Sequence, residues 1–361
     1  MAPMHNPPSS GPSQQRTVDS RTNIGDIEPP HRRVVVALGG NAITQPGDDG
    51  SVATDYANLK RSLRSVVDLV RRGYEVVVTH GNGPQVGNQM LRVELARGQA
   101  PDLPLDVMVA DLQGGLGYMI ERVLRNKLLR QGIDMPVCAL LTLVEVSGDD
   151  PALHEPSKYV GQFYGQDEVE TLVRERGWKM KEDKGRGWRR VVASPDPVAI
   201  VEKDLIVTLI SSGALVIVTG GGGIPVRRDS AGLLKGVEAV IDKDLASSVL
   251  AAEIEASELF ILTGVEQVAL HFGTADEALL SSLTVEEART YLAEGHFPVG
   301  SMGPKIEAAC RFVENGGERA LITDIFTLDQ ALAGRTGTWI TAGSRSSPPR
   351  PGSGDAVATV A

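Results

Sequence analysis

Three lysines lie where an ammonium group could contact a bound phosphate. Lys243 and Asp244 open a predicted helix with Asp242 as its N-cap, and the Asp244 carboxylate could orient the lysine. Lys305 follows the loop Gly300–Pro304 into a second predicted helix, and Lys158 lies in an irregular segment. Phosphoryl transfer depends on positioning and on cations around the migrating group more than on covalent help. Each lysine alone could be an ordinary solvated side chain, but together they indicate a phosphoryl-transfer site.

Glycine-rich turns follow three predicted strands, at the ends where open α/β sheets bind ligands. They consist of Gly39, Gly40 and Asn41 after the first strand, Gly81, Asn82 and Gly83 after the second, and Gly220, Gly221, Gly222 and Gly223 after a later one. Glycine lets the backbone approach a ligand closely, and free N–H groups can then face a phosphate or a carboxylate. A glycine pair can also form an ordinary turn. Four consecutive glycines, however, cost so much conformational entropy that a purely structural explanation is poor.

Other classes of site find little support in the sequence. None of the three turns fits the P-loop pattern or the dinucleotide-binding fingerprint in its strand–helix context. The six histidines have no acidic partners at metal-site spacing, so no protein-bound zinc site is indicated. No readable nucleophile arrangement is present either. A carboxylate acceptor, already ionised at neutral pH, would require neither a metal-bound nucleophile nor a general base.

The elements that must position these residues alternate between strands and helices. The predicted strands are Arg33–Leu38, Glu75–Thr79, Val137–Leu143, Leu215–Thr219, Leu259–Leu262, Ala320–Ile322 and Thr338–Ile340. The predicted helices are Asp55–Arg72, Asp106–Arg130, Val198–Ile210, Lys243–Ile254, Thr284–Glu294 and Lys305–Glu314. This alternation predicts an α/β fold, a three-layer αβα sandwich with right-handed crossovers between parallel strands.

Residues 147–195 interrupt this alternation. The segment contains two early prolines, a group of aromatic residues and a predicted hairpin that pairs Trp178–Glu182 with Gly187–Ala193 across a turn containing Lys184 and Gly185. Irregular segments of this length are usually functional or disordered. We therefore predict an inserted lid subdomain, the alternative being a decorated loop without a role.

Composition restricts the function further. The 361 residues are 42% hydrophobic but only 4% aromatic, which predicts a mainly aliphatic core of the kind that parallel sheets have. The net charge of −10 disfavours nucleic acid as a partner. Cys138 and Cys310 are predicted to be core thiols, and no apolar run resembles a membrane span or a signal peptide, so we expect a cytoplasmic protein. Residues 1–31 and 342–361 have the composition of disordered tails, which leaves 32–341 as the folded domain.

Six segments stand in an order that resembles carbamate kinase, within the amino-acid kinase superfamily. They read GGNA, HGNGPQVGN, SKYVGQFY, TGGGGIPV, EAVIDKDLAS and GSMGPKIEAA. The resemblance covers about 32–341 and implies a mainly parallel sheet of about eight strands with a protruding lid subdomain. It also implies reversible phosphoryl transfer between ATP and carbamate, giving ADP and carbamoyl phosphate. The nucleotide phosphates would carry Mg²⁺, and the enzyme would be a homodimer. Enzymes of this family often make ATP during arginine breakdown, so we expect the same direction here.

The resemblance also assigns roles to individual residues. Gly39, Gly40, Asn41, Gly81, Asn82 and Gly83 would line the carbamate and γ-phosphate site. Lys158 would reach down from the lid, and Lys243 with Asp244 would serve the transferring phosphoryl group. Lys305, together with Lys243, would contact the nucleotide phosphates, and Gly220–Gly223 would lie against the nucleotide.

Two positions distinguish the chain from its relatives. Acetylglutamate kinases and their relatives usually carry a lysine two residues before the first glycine pair, where this chain has Ala37. Carbamate kinases characteristically lack that lysine and use the lid lysine instead. The lid motif, usually Lys-Pro-x-Gly, reads Lys158-Tyr159-Val160-Gly161, so a looser backbone is expected beside Lys158. Two alternatives remain open at this point, an amino-acid kinase acting on a larger acid or on UMP, and a nucleotide-binding regulator without turnover.

Overall fold

A computed structural model of the chain describes residues 32–45, 47–183 and 186–343. The predicted tails lie outside this part except for residues 342 and 343, as do Lys184 and Gly185 of the predicted hairpin turn. No helix in the described part is long and apolar enough to cross a membrane.

The predicted strands and helices occur in the predicted order, apart from three described below, and the described part of the chain contains further elements that the sequence pattern did not predict. The strands are β1 Arg33–Leu38, β2 Glu75–His80, β3 Val137–Ala139, β4 Leu143–Val146, β5 Lys158–Tyr164, β6 Lys179–Glu182, β7 Trp188–Val192, β8 Pro197–Ile200, β9 Leu215–Ile217, β10 Ile224–Arg228, β11 Leu234–Gly236, β12 Glu258–Thr263, β13 Val268–Leu270, β14 Ala278–Leu280, β15 Ser282–Thr284, β16 Arg319–Asp324 and β17 Thr338–Thr341. The helices are α1 Val52–Ser62, α2 Arg64–Arg71, α3 Gly83–Ala96, α4 Leu105–Arg130, α5 Gln166–Arg176, α6 Lys203–Ser211, α7 Lys243–Glu253, α8 Val285–Ala293, α9 Met302–Glu314 and α10 Leu328–Leu332.

An eight-stranded sheet in the order β15-β17-β16-β12-β1-β2-β9-β3 forms the centre of the fold. The strands from β16 to β3 are all parallel, and β17 is antiparallel to β16. Both faces of this sheet are covered by helices. The mainly parallel sheet of about eight strands and the three-layer αβα architecture are therefore confirmed.

Residues on successive positions of each strand point to opposite faces and so supply two separate cores. In β1, Val35 and Ala37 pack with α6, α7, α8 and α9, whereas Val34, Val36 and Leu38 pack with α1, α2, α4 and α10. All five of these β1 side chains are fully buried. This continuous apolar pattern is typical of a parallel strand covered on both faces.

The predicted lid, residues 147–195, contains a separate sheet in the order β5-β7-β6 and the helix α5. The predicted hairpin is confirmed, since β6 pairs with β7 in antiparallel register from Lys179–Val191 to Glu182–Trp188. A third, smaller core joins the lid to the body, because Val160 and Val192 pack against Val86 and Met90 of α3.

Three predicted elements differ from the structure. The single helix Asp55–Arg72 is wrong, because Leu63 adopts a ψ of 7° and separates α1 from α2 while staying fully buried. The single strand Val137–Leu143 is wrong too. Its chain leaves the central sheet after Ala139, and Gln113 of α4 accepts a hydrogen bond of 2.6 Å from the backbone N–H of Thr142.

The predicted helix Val198–Ile210 is the third error. Its first residues form β8, which pairs with β4, and the helix α6 begins only at Lys203. In the second and third places a tertiary partner, rather than local periodicity, decides where the element begins or ends.

Candidate active site

The first two glycine turns lie side by side because their strands, β1 and β2, are adjacent and parallel. Gly39 donates its N–H to Leu262 of β12 at 2.8 Å, and a Cβ on Gly39 would lie only 2.6 Å from that carbonyl oxygen. Gly81 likewise donates to the carbonyl of Leu38 at 3.0 Å. Gly39 therefore lets two chains approach closely, but the N–H groups of Gly39 and Gly81 are already used by the sheet.

Other backbone groups of these turns can serve an anion. Gly40 and Asn41 begin a 3-10 helix, and Gly83 begins α3 with Asn82 as its N-cap. The first N–H groups of a helix have no acceptor within the helix and favour negative charge. The substrate-binding role assigned to these residues stays a prediction, and their placement is compatible with it.

Lys243, Asp244 and Lys305 meet at one point. Asp244 at the start of α7 accepts from the Lys243 ammonium at 2.5 Å with one carboxylate oxygen and from the Lys305 ammonium at 2.8 Å with the other. The three side chains are 5–16% exposed. The side chain of Lys243 passes over the second turn, where a Cβ on Gly81 would lie 3.5 Å from its Cδ.

Burial and charge act against each other in this cluster. Burial alone would raise the pKa of Asp244, but the ammonium groups of Lys243 and Lys305 hold that pKa well below its usual value. Burial lowers the pKa of Lys243, and the Asp244 carboxylate opposes this effect. The second ammonium, on Lys305, lowers the pKa of Lys243 further. A bound phosphate would supply the negative charge that two lysines sharing one carboxylate lack.

The lid lysine is joined to the same helix by Asp242. Lys158 donates to Asp242 at 3.1 Å, while the other carboxylate oxygen of Asp242 accepts from the N–H of Asp244 at 2.9 Å. Asp242 thus caps α7 and holds the lid lysine at once. The sequence predicts only its capping role. Tyr159, beside Lys158, pairs with Val191 and donates its hydroxyl to the Glu182 carbonyl, two contacts that oppose the looser backbone expected there.

A cavity of about 360 Å³ opens beside the lysine cluster. Its lining includes the first glycine turn, Lys243 and Lys305, together with the apolar residues Phe272, Phe297 and Pro298. Sites for small ligands are commonly of this volume and combine an apolar lining with a few polar groups. The apolar residues come from loops without a readable motif, so the sequence offered no signal for them.

His80 supports the second turn from inside the protein. It is almost completely buried, and burial lowers its pKa to about 4 despite a contact of 3.1 Å between Nδ1 and the Gly81 carbonyl. A nearby ammonium, Lys243, lowers the pKa of His80 as well. His80 is therefore neutral at pH 7 and carries no charge into the site. Sequence spacing indicates only whether a histidine could be a metal ligand, so it does not reveal this supporting role.

The four-glycine segment is buried behind the second turn and does not contribute to the lining of the cavity. A Cβ on Gly220 would collide with His80, one on Gly221 with Asn82, and one on Gly223 with Val144. Gly221, Gly222 and Gly223 also have positive φ values of 70°, 96° and 86°. The structure thus supplies a packing reason for these glycines, and their proximity to the nucleotide stays a prediction.

Two buried polar atoms near this segment have no hydrogen-bond partner among the described residues, Nδ2 of Asn82 and Oγ1 of Thr219. Buried polar atoms without a hydrogen-bond partner are costly and uncommon in folded proteins. Among the described residues, no group of three or more His, Cys, Asp or Glu side chains is arranged to hold a metal ion.

Comparisons with known proteins agree with this geometry. The sequence pattern of the amino acid kinase family matches residues 32–324. The carbamate kinase of Pyrococcus furiosus is 49% identical over 313 residues, which cover 86% of this chain and 99% of that protein. A carbamate kinase-like protein of Escherichia coli K12 is 46% identical with the same coverage. The structure of the Giardia lamblia carbamate kinase bound to AMP-PNP superposes with a TM-score of 0.80 at 39% identity, covering 86% of this chain and 99% of that one.

Proposed function

The chain belongs to the amino acid kinase family, and within it to the carbamate kinases, and we propose that it transfers a phosphoryl group reversibly between ATP and carbamate. The observation that carries this proposal is the cluster of ammonium groups on Lys243 and Lys305 around Asp244, with Lys158 held nearby by Asp242. This cluster lies against the two glycine turns and beside a cavity of about 360 Å³.

The proposed transfer needs no proton movement. A β-phosphate oxygen of ADP attacks the phosphorus of carbamoyl phosphate, a new P–O bond forms, and the bond from phosphorus to the carbamate oxygen breaks. Carbamate leaves with that electron pair as an ionised carboxylate. The lowered pKa of His80, about 4, makes this histidine a weak base, which agrees with a scheme that uses no general base.

Within this scheme the lysines neutralise charge on the migrating group. Lys243 and Lys158 would contact the transferring phosphoryl oxygens, and Lys305 the nucleotide phosphates. Asp244 orients two of the ammonium groups with its two carboxylate oxygens. Such pre-positioned charge in a water-poor site is commonly the largest contribution to the rate of reactions of this kind.

Magnesium fits this site when it is carried by the nucleotide. The carboxylates of Asp242 and Asp244 are both engaged by lysines, so neither is free to act as a dedicated metal ligand. The three ammonium groups and two carboxylates together have a net charge of +1, whereas the phosphate ligand carries several negative charges. Mg²⁺ on the phosphates would supply the further neutralisation that the reaction requires.

The oligomeric state and the cellular setting are also proposals. Strand β3 forms one edge of the central sheet, and the exposed side chains of Tyr118 and Leu141 lie beside a surface hollow of about 410 Å³. Sheet edges of this kind are usually covered, which supports a homodimer. The free thiols of Cys138 and Cys310 suit a reducing cytoplasm. We further propose net ATP formation during arginine breakdown.

The deciding test is ATP formation from ADP, Mg²⁺ and carbamoyl phosphate by the purified full-length chain. We expect rapid ATP synthesis, and no comparable phosphorylation when acetylglutamate or UMP is offered with ATP. A protein that binds ATP tightly yet produces none from carbamoyl phosphate would instead be the regulator considered above. Light scattering of the same preparation gives the oligomeric state.

A further inference from the structure

Two glycines without an assigned role cross where the lid meets the body of the protein. Gly87 lies on α3, and Gly161 lies in β5. A Cβ placed on Gly87 would be 3.1 Å from the Cα of Gly161 and 3.4 Å from its nitrogen. The first distance is tighter than most side-chain contacts, and the neighbour is backbone, so a residue larger than glycine at position 87 would require the lid strand to shift by a few tenths of an ångström.

The lid strand at this crossing is held in a fixed shape. Gly161 has a φ of +73°, which favours glycine, and its carbonyl accepts two hydrogen bonds from Arg189 at 3.2 and 3.0 Å. The pairing of β5 with β7 is irregular between Val160 and Tyr164, so the strand bends at this place. Because the bend is held by these bonds, a displacement of Gly161 is transmitted along the strand.

Lys158 lies three residues before Gly161, about 10 Å along an extended strand. Between them, Val160 is buried against Val86 and Met90 of α3, and the ammonium of Lys158 reaches Asp242. The crossing holds this short segment at Gly161, and the segment carries Lys158 at its other end. α3 carries the other half of the crossing and begins at Gly83 in the second glycine turn. The helix α3 therefore begins in the second glycine turn and contacts the lid at Gly87.

We propose that the Gly87–Gly161 crossing is a positioning contact that sets how closely the lid brings Lys158 to the transferring phosphoryl group. This inference rests on the proposed function. Glycine fits best at position 87 because a Cβ there would crowd the backbone of Gly161, and at position 161 because of its positive φ. Gly87 acts through Lys158 and does not itself touch the substrate.

The test is Gly87→Ala, followed by the larger Gly87→Val. A misplacement of about 1 Å can reduce a rate about 100-fold. We expect Gly87→Ala to lower kcat/KM for carbamoyl phosphate about 10-fold and Gly87→Val about 100-fold, with KM for ADP changed less than twofold. Gly115→Ala is the matched control, because Gly115 is an exposed glycine of α4 with open space around its Cβ position, and it should keep the wild-type kinetics.

A double-mutant comparison separates positioning from general damage. In a Lys158→Ala background the Gly87→Ala change should cause no further loss, because the group through which it acts is gone. Equal losses in both backgrounds would overturn the proposal. So would an increase in KM for ADP that matches the loss with carbamoyl phosphate.

Hydrogen exchange separates this inference from the proposed function. Backbone amides of residues 158–164 should exchange faster in Gly87→Ala than in Gly115→Ala, whether or not the protein turns over substrate. Wild-type protein that makes no ATP would refute the proposed function, and the exchange result would still decide the crossing. Unchanged exchange in Gly87→Ala would refute the crossing even in an active enzyme.

Discussion

Replacing Asp244 with asparagine removes one carboxylate and leaves the ammonium groups of Lys243 and Lys305 without their shared partner. Asp244 is 4% exposed, and the side chains of the two lysines are 11% and 16% exposed. Breaking a buried ion pair from one side typically costs about 3–5 kcal/mol of unfolding free energy. We expect Asp244→Asn to lose about 3 kcal/mol at pH 7 and to lower kcat at least about 100-fold.

The pH dependence of stability gives this prediction a sharper form. Burial already lowers the pKa of Lys243, and loss of the Asp244 carboxylate lowers it further. Between that lowered pKa and the ordinary lysine value of about 10.4, the unfolded chain binds more protons than the native protein, so native stability rises with pH. Each additional unit of lowering adds about 1.4 kcal/mol to this rise. Between about pH 7 and pH 10, the free energy of unfolding of Asp244→Asn should therefore increase more than that of the wild type.

Urea unfolding followed by circular dichroism, at several pH values, measures these quantities. Asp276→Asn is a suitable control, because Asp276 is exposed, and it should follow the wild-type curve. Inorganic phosphate should also stabilise Asp244→Asn more than the wild type, since an anion can neutralise the two lysines. An Asp244→Asn protein as stable as wild type at pH 7, with the same pH dependence and the same response to phosphate, would refute the electrostatic account of the cluster.

Three further predictions concern neighbouring contacts. Because the pKa of His80 in the native protein is lowered to about 4, the unfolded chain binds a proton first as the pH falls. The free energy of unfolding should therefore drop between about pH 6.5 and pH 4. His80→Gln should flatten that part of the profile of stability against pH. Asp242→Asn keeps the helix cap but loses the charged partner of Lys158. In steady-state assays KM for carbamoyl phosphate should therefore change several-fold, while the free energy of unfolding falls by no more than about 1 kcal/mol. In Gly223→Ala the alanine would have a positive φ, and its Cβ would collide with Val144. Calorimetry should therefore show a loss of about 3 kcal/mol or more in the free energy of unfolding. A wild-type melting temperature would contradict the packing explanation.

The sequence was sufficient to predict the layered architecture and the grouping of the first two turns. Apolar runs such as Arg33–Leu38 are typical of parallel strands buried on both faces, and neighbouring parallel strands bring their carboxyl ends together. The pairing of Lys243 with Asp244 at a helix start was also readable, because Asp242 is a characteristic N-cap.

Other features could not be read from local patterns because they depend on partners distant in sequence. The break between β3 and β4 results from Gln113, 29 residues away from Thr142, and the link between Lys158 and Asp242 spans 84 residues. The packing reason for Gly220–Gly223 depends in the same way on His80 and Asn82. Entropy arguments indicated that these glycines needed a special explanation, but they could not distinguish tight packing from ligand contact.

Phosphorus NMR of the wild type and of Lys243→Met tests the central claim most directly. With ADP, Mg²⁺ and carbamoyl phosphate, the wild type should convert the carbamoyl phosphate signal into that of the ATP γ-phosphate. Lys243→Met should do so at least about 100-fold more slowly while remaining folded. Conversion to inorganic phosphate alone, or an unimpaired Lys243→Met enzyme, would contradict the account.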